Sequence, residues 1–170
     1  MSDKSRIMFQ AEIERLRRCS PEEMEDLIPR AAEGSQEALD RLVEGNLYRV
    51  YEAAAFFTKK EDLFMDLLQE GNLALLLCLS EEYEYTESTE RRMDAAVHEA
   101  MERFMEEEQA EKKIGEELKT RLNVLDEVCV RLTESLGREP TAEEVAELMK
   151  MDPGDVKYLL KIALSAIKKD

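Results

Sequence analysis

The feature that most constrains this chain is the spacing of its apolar residues. Ala38, Leu39, Leu42, Val43, Leu47, Val50, Tyr51, Ala54 and Phe57 recur three and four residues apart, the period of one buried helix face. The same spacing returns in Met93, Val97, Ala100, Met101 and Phe104, and again in Leu118, Leu122, Leu125, Val128 and Leu132. Alternating Val, Ile and Thr runs, the mark of half-buried strands, are missing. Glu, Leu, Ala, Met and Lys dominate, with 6 Gly and 4 Pro in 170 residues, so local propensity agrees with the periodicity. The fold class is all-α.

Punctuation divides the stripes. A first helical stretch runs from about Arg6 to Cys19, with a basic cluster at Arg15, Arg17 and Arg18. Ser20-Pro21-Glu22-Glu23 reads as a helix start, with Ser20 as cap and Glu23 closing a capping box. That helix reaches about Ala32 despite Pro29. Further helices are expected over about 37–57, 62–79 and 90–111, the last two separated by the acidic loop Ser80 to Thr89. Gly115 is a break signal between two modules. Beyond it, a long helix stopped by Gly137, a short one opened by the capping box Thr141 to Glu144, and a last one from Asp152-Pro153 form a trihelical, helix-turn-helix-like unit. The expected domains are an N-terminal helical extension (1–20), a helical domain (21–113) and the trihelical domain (114–170).

Charge restricts function. The net charge is -16, divided as +2 over residues 1–20, -17 over 21–111 and -1 over 112–170. Non-specific affinity for nucleic acid needs cations to displace counterions, and an anionic membrane surface has the same requirement. Cys19, Cys78 and Cys129 are scattered and odd in number, giving neither a disulfide framework nor metal-ligand spacing. The longest apolar run, Leu73 to Leu79, is short for a membrane span. With no basic-then-apolar leader, a cytoplasmic protein is expected. His98, the one histidine, falls near the apolar side of its helix without a nucleophile or metal set around it. No enzyme, cofactor or metal is expected, and the methionines read as core filler.

Two stretches resemble a known family. Phe64-Met65-Asp66-Leu67-Leu68-Gln69-Glu70-Gly71-Asn72-Leu73-Ala74-Leu75 is similar to the signature helix of the second conserved region of the sigma-70 family of bacterial transcription factors. Ala32 to Ala38 and Leu42-Val43-Glu44-Gly45-Asn46-Leu47 precede it at that family's spacing. Leu136-Gly137-Arg138-Glu139-Pro140-Thr141-Ala142-Glu143-Glu144-Val145-Ala146 looks like the turn and second helix of the third region. The resemblance covers roughly Leu27 to Ile167. It implies that 21–113 is a region 2-like domain and 114–170 a region 3-like domain. It also implies docking on a coiled coil of the largest subunit of core RNA polymerase, through Met65, Asp66, Gln69, Glu70, Asn72 and Leu76.

The departures from the family are equally specific. Its strand-capturing aromatics, Phe-Ser-Thr-Tyr-Ala-x-Trp-Trp, correspond here to Thr89-Glu90-Arg91-Arg92-Met93-Asp94-Ala95-Ala96, with no aromatic to stack on a melted base. The loop before them carries Glu81, Glu82, Glu84 and Glu87 where the family is basic, and Tyr83 and Tyr85 lie outside the stacking positions. The His and Glu that read the extended minus-ten element align with Glu117 and Thr120. No counterpart of the family's fourth region follows in this sequence, so a second polypeptide supplying one is a possible partner. The resemblance therefore implies a sigma-like initiation factor or regulator that contacts promoter DNA only weakly or within the polymerase complex. Lys150, Lys157, Lys161 and Lys168 are the candidate phosphate contacts. The alternatives are a small helix-turn-helix DNA-binding regulator acting through the last domain, and a non-transcriptional interaction protein retaining the sigma fold.

Overall fold

The expected helices are found, except that the two expected on either side of Gly115 are one continuous helix. The structure, a computed structural model, describes residues 4–167. Among these are α1 (Lys4–Ile13), α2 (Pro21–Ala32), α3 (Gln36–Phe57), α4 (Glu61–Ser80), α5 (Thr89–Leu136), α6 (Ala142–Met149) and α7 (Pro153–Ile167), and no strand. The fold class is all-α, as the periodicity requires. Lys168 lies outside the described residues.

The chain divides into two compact units, Met1–Glu107 and Glu108–Asp170. In the first, α2, α3, α4 and the N-terminal turns of α5 enclose one core. Its members include Met24 and Ile28 from α2, Leu42 and Val50 from α3, Phe64, Leu67, Leu75 and Leu79 from α4, and Met93, Val97 and Met101 from α5. Each such side chain contributes roughly 1.5–3 kcal/mol on burial. Phe9 of α1 stacks on Tyr51, which meets Phe64 edge to face. The second unit closes Leu125 of α5 over Val145 and Ala146 of α6 and Val156 and Leu159 of α7.

Several readings need correction. The first helix ends at Ile13 rather than near Cys19. Arg15 N–H and Leu16 N–H bond back to Glu12 and Ile13 carbonyls in tight turns, and Cys19 N–H then donates to the Gly45 carbonyl at 3.2 Å, drawing the strand of chain onto α3. Ser20 does cap α2, accepting from Glu23 N–H at 3.2 Å. The Glu23 carboxylate, however, goes to Arg41 (3.0 and 3.2 Å) and Arg17 (2.6 Å) and ties α2 to α3. Gly115 breaks nothing: α5 is helical from Thr89 to Leu136. An isolated glycine costs a helix only about 1 kcal/mol, and no turn residue accompanies this one. His98 is exposed, its ring 5.6 Å from Phe57 and 6.3 Å from Phe56. Finally, Asp62–Ser80 is long and apolar enough to cross a bilayer by length and composition. The reason is that Phe64, Leu67, Leu68, Leu75 and Leu79 form the unit's own core.

The capping box on α6 is complete. Thr141 Oγ1 accepts Glu144 N–H at 3.2 Å, and Glu144 accepts Thr141 N–H at 2.8 Å. Arg138 grips the same carboxylate at 2.6 and 2.9 Å, and chiefly that contact lowers the Glu144 pKa to about 2. A carboxyl depressed on folding stabilises the fold fully above its ordinary value, and that contribution disappears as pH falls toward the depressed one. Protection of the Val145 and Ala146 amides, with exchange corrected for its intrinsic pH dependence, should therefore fall between about pH 4.5 and 2 in the wild type. Glu144→Gln should exchange faster at neutral pH and converge with the wild type near pH 2. Parallel profiles for the two proteins would contradict this role.

Candidate functional site

Helix α4 turns Phe64, Leu67, Leu68, Gly71, Leu75 and Leu79 inward. What remains outside forms two adjacent ridges at spacings of four, three and four residues. Met65, Gln69, Asn72 and Leu76 make the first; Asp66, Glu70, Leu73 and Leu77 make the second. Side chains so spaced lie side by side along a helix. The six docking candidates thus share one helix and two neighbouring ridges. Met65, Asp66, Gln69 and Leu76 are exposed, while Glu70 and Asn72 are half-buried. Among the described residues, the side chains of Asp66, Gln69 and Glu70 take part in no hydrogen bond or ion pair. Asn72 Oδ1 is buried with no hydrogen-bond partner.

Gly71 sets how closely α4 approaches its neighbours. A Cβ there would lie 2.4 Å from Met101 Cε and 2.7 Å from Val50 Cγ1. The methionine tip can swing away, but the β-branched valine has little freedom. Gly71→Ala gains about 1 kcal/mol of helix propensity against overpacking of about 1–3 kcal/mol. The expected net result is a loss of about 1 kcal/mol in urea unfolding. A more stable variant would show that Val50 yields freely. Gly45, in the other Glu-Gly-Asn-Leu run, is similarly confined: its Cβ would sit 2.3 Å from Cys19 Sγ and 2.9 Å from Cys19 N.

The first turns of α5, which align with the strand-capturing stretch, are occupied by ion pairs. Arg49 of α3, its side chain 8% exposed, donates to Glu90 at 2.6 Å, to Asp94 at 2.7 Å and to Asn46 Oδ1 at 3.1 Å. Burial by itself would lower the Arg49 pKa, but the bonds to Asp94 and Glu90 outweigh it and raise it. The same contact with Arg49 lowers the Glu90 pKa. Tyr85 donates its hydroxyl to Glu90 at 3.0 Å. One residue pair along, Arg92 grips Glu82, with Nε at 2.7 Å from the carboxylate, so this loop glutamate is buried and paired rather than loose in solvent. Neither Arg49 nor Asn46 was singled out by its sequence pattern. Apart from the bond they make to each other, their partners lie far along the chain or are backbone atoms.

Lys157 and Lys161 lie one turn apart on α7 and border the same shallow pocket, and Lys150 stands on another element. Lys150 ends α6 in a left-handed conformation (φ 54°). Lys157 pairs with Glu143 at 3.0 Å. Lys161 is exposed beside Leu160 and Leu164. Among the described residues no group of three His, Cys, Asp or Glu is placed to hold a metal ion.

The C-terminal turns of α5 with α6 and α7 make a trihelical unit of the helix-turn-helix class. Residues 120–168 match the family model for sigma-70 region 3. RNA polymerase sigma factor SigA of Clostridium acetobutylicum is 32% identical over 158 residues, covering 92% of this chain and 42% of that protein. SigA of a Bacillus species is 31% identical over 158 residues, with 92% and 42% covered. The chain belongs to the sigma-70 family. It spans less than half the length of the curated relatives it matches.

Proposed function

We propose that this chain is a sigma-type transcription initiation factor or regulator that binds core RNA polymerase through the exposed ridges of α4. The observation that carries the reading is the state of the signature face: Asp66, Gln69 and Glu70 are unengaged within the described residues and stand beside exposed Met65 and Leu76. Free carboxylate and amide groups next to apolar anchors suit a basic helical partner, and a coiled coil of the polymerase's largest subunit fits that description. Residues 21–113 then act as the region 2-like domain and 114–170 as the region 3-like domain, with 1–20 an added helical segment. Such a protein works in the cytoplasm, where polymerase is.

Promoter melting and recognition by this chain alone are weak on the same reading. At the aligned strand-capture positions, Glu90 and Asp94 hold Arg49, and Arg92 holds Glu82. These groups offer a melted base no ring to stack on. Any phosphate contact falls to exposed lysines such as Lys150 and Lys161, and Lys157 would first have to leave Glu143. The test is affinity capture with the tagged full chain. Core polymerase should be retained, and its absence from the eluate at low salt would overturn the proposal. A shift of duplex DNA by the chain without polymerase would favour the helix-turn-helix regulator.

A further inference from the structure

The second ridge of α4 does not face open solvent on both sides. It forms one wall of a groove of about 990 Å³, whose other wall is α5. On the α4 side stand Leu73 and Leu77, 53% and 54% exposed and one turn apart. Across from them Ala96 and Ala100, again one turn apart, present almost no side chain. Large apolar groups on one wall and small ones on the other leave room for a third helix to seat its own apolar ridge. From Glu70 to Glu81 the α4 wall rises over eleven residues, ~16 Å, or about three helical turns.

The rim selects the charge of that helix. Glu70, Glu81, Glu84 and Glu99 line the groove together with exposed Tyr83. Of the two cations present, Arg92 is already held by Glu82, and Arg103 stands at the Glu70 end. A phosphate backbone would meet uncompensated carboxylates. A second copy of this chain would bring a surface of the same sign, since the chain carries -16. Guanidinium groups suit the rim better than ammonium, because they pair with carboxylates in bidentate fashion and stack on a tyrosine ring.

We propose that the α4–α5 groove is a second docking site, which takes an arginine-bearing amphipathic helix of a protein partner. It goes beyond the polymerase reading: of the six α4 docking residues only Glu70 borders it, and the rest of its lining comes mostly from α5 and the loop 81–86. Its occupant fills the groove with aliphatic side chains at i, i+4 and i+7 and places arginines against Glu81, Glu84 and Glu99.

The probe is a capped 14-residue synthetic helix with leucines at that spacing and flanking arginines, titrated into the isotopically labelled full chain. Amide shifts should concentrate on residues 73–84 and 95–103. A scrambled peptide of the same composition should bind at least tenfold more weakly. The α5-side variants Ala96→Arg and Glu99→Arg leave both α4 ridges intact, so they should abolish peptide binding yet retain core polymerase in affinity capture. A matched control, Glu106→Arg, should leave peptide affinity within twofold. Equal binding of the scrambled peptide, equal loss in the control, or shifts spread over the surface would overturn the proposal as mere polyelectrolyte attraction. So would protection of the groove by self-association in sedimentation, or by a single-stranded oligonucleotide. Loss of polymerase capture in the wild type would overturn the α4 reading and leave this one standing.

Discussion

Gln69→Ala combined with Glu70→Arg should abolish retention of core polymerase, weakening it by at least a hundredfold. A charge-assisted hydrogen bond to a partner cation is worth about 1.5–3 kcal/mol, and placing like charges opposite each other adds several kcal/mol of repulsion. Each 1.4 kcal/mol is tenfold in affinity, so the two effects together exceed the stated loss. Both side chains make no hydrogen bond or ion pair among the described residues, and Gln69 is exposed. The variant should therefore keep the wild-type far-UV spectrum and melting temperature. That combination, binding lost and fold kept, separates a docking face from a structural one. Undiminished capture by the double variant would remove α4 as the polymerase contact.

The same helix shows how much could be read before any coordinates. Its extent, about 62–79, follows from composition, but its inward set, Phe64, Leu67, Leu68, Leu75 and Leu79, does not, because Leu73, Leu76 and Leu77 are equally apolar and stand outside. The box Thr141 to Glu144 was legible for a different reason: it is built from neighbours in sequence, and its hydrogen bonds depend on nothing else. Glu23 shows the limit of that logic. It has the right spacing from Ser20, yet Arg41 offers its carboxylate a stronger, charge-assisted pairing across helices. Likewise Ile13 ends α1 because Cys19 N–H is claimed by Gly45, a partner no local pattern announces. The groove was illegible for a related reason. A concave surface arises from the gap between two helices, and Ala96 and Ala100 look like ordinary helix formers until the opposite wall is known.

The two surfaces of the first unit also bear on each other. An alanine-lined wall on α5 and an open signature on α4 leave apolar leucines in water. Meanwhile, the strand-capture turns next to them carry two short interhelical ion pairs. Polar chemistry there serves cohesion, and exposed apolar chemistry sits where a partner helix could reach it. That distribution suits a protein whose contacts are with proteins more than with bases.

Cohesion of that kind makes Arg49→Met a strongly destabilising substitution in the first unit. Methionine keeps the aliphatic stem and removes the cation. Asn46, 1% exposed, then loses the donor to its Oδ1, and an orphaned buried acceptor costs about 1–3 kcal/mol. Breaking a fully buried ion pair costs about 3–5 kcal/mol. Glu90 and Asp94 side chains are 40% and 50% exposed and can rehydrate, so the pair's share must be discounted. A total of about 2–3 kcal/mol remains, enough to lower the melting temperature of a unit this size by roughly 10 °C. The depressed Glu90 carboxyl gives the pH signature. Its contribution is full above the ordinary carboxylate range and vanishes as pH falls through the depressed value. Wild type and Glu90→Gln should therefore differ at neutral pH and converge in acid, whereas Arg49→Met should remain the least stable at neutral pH. In a double-mutant cycle, Arg49→Met and Glu90→Gln should couple by about 1 kcal/mol or more. Additive effects, or an Arg49→Met protein that melts with the wild type, would mean that the packing of α3 against α5 rests on Met93, Val97 and Met101 alone.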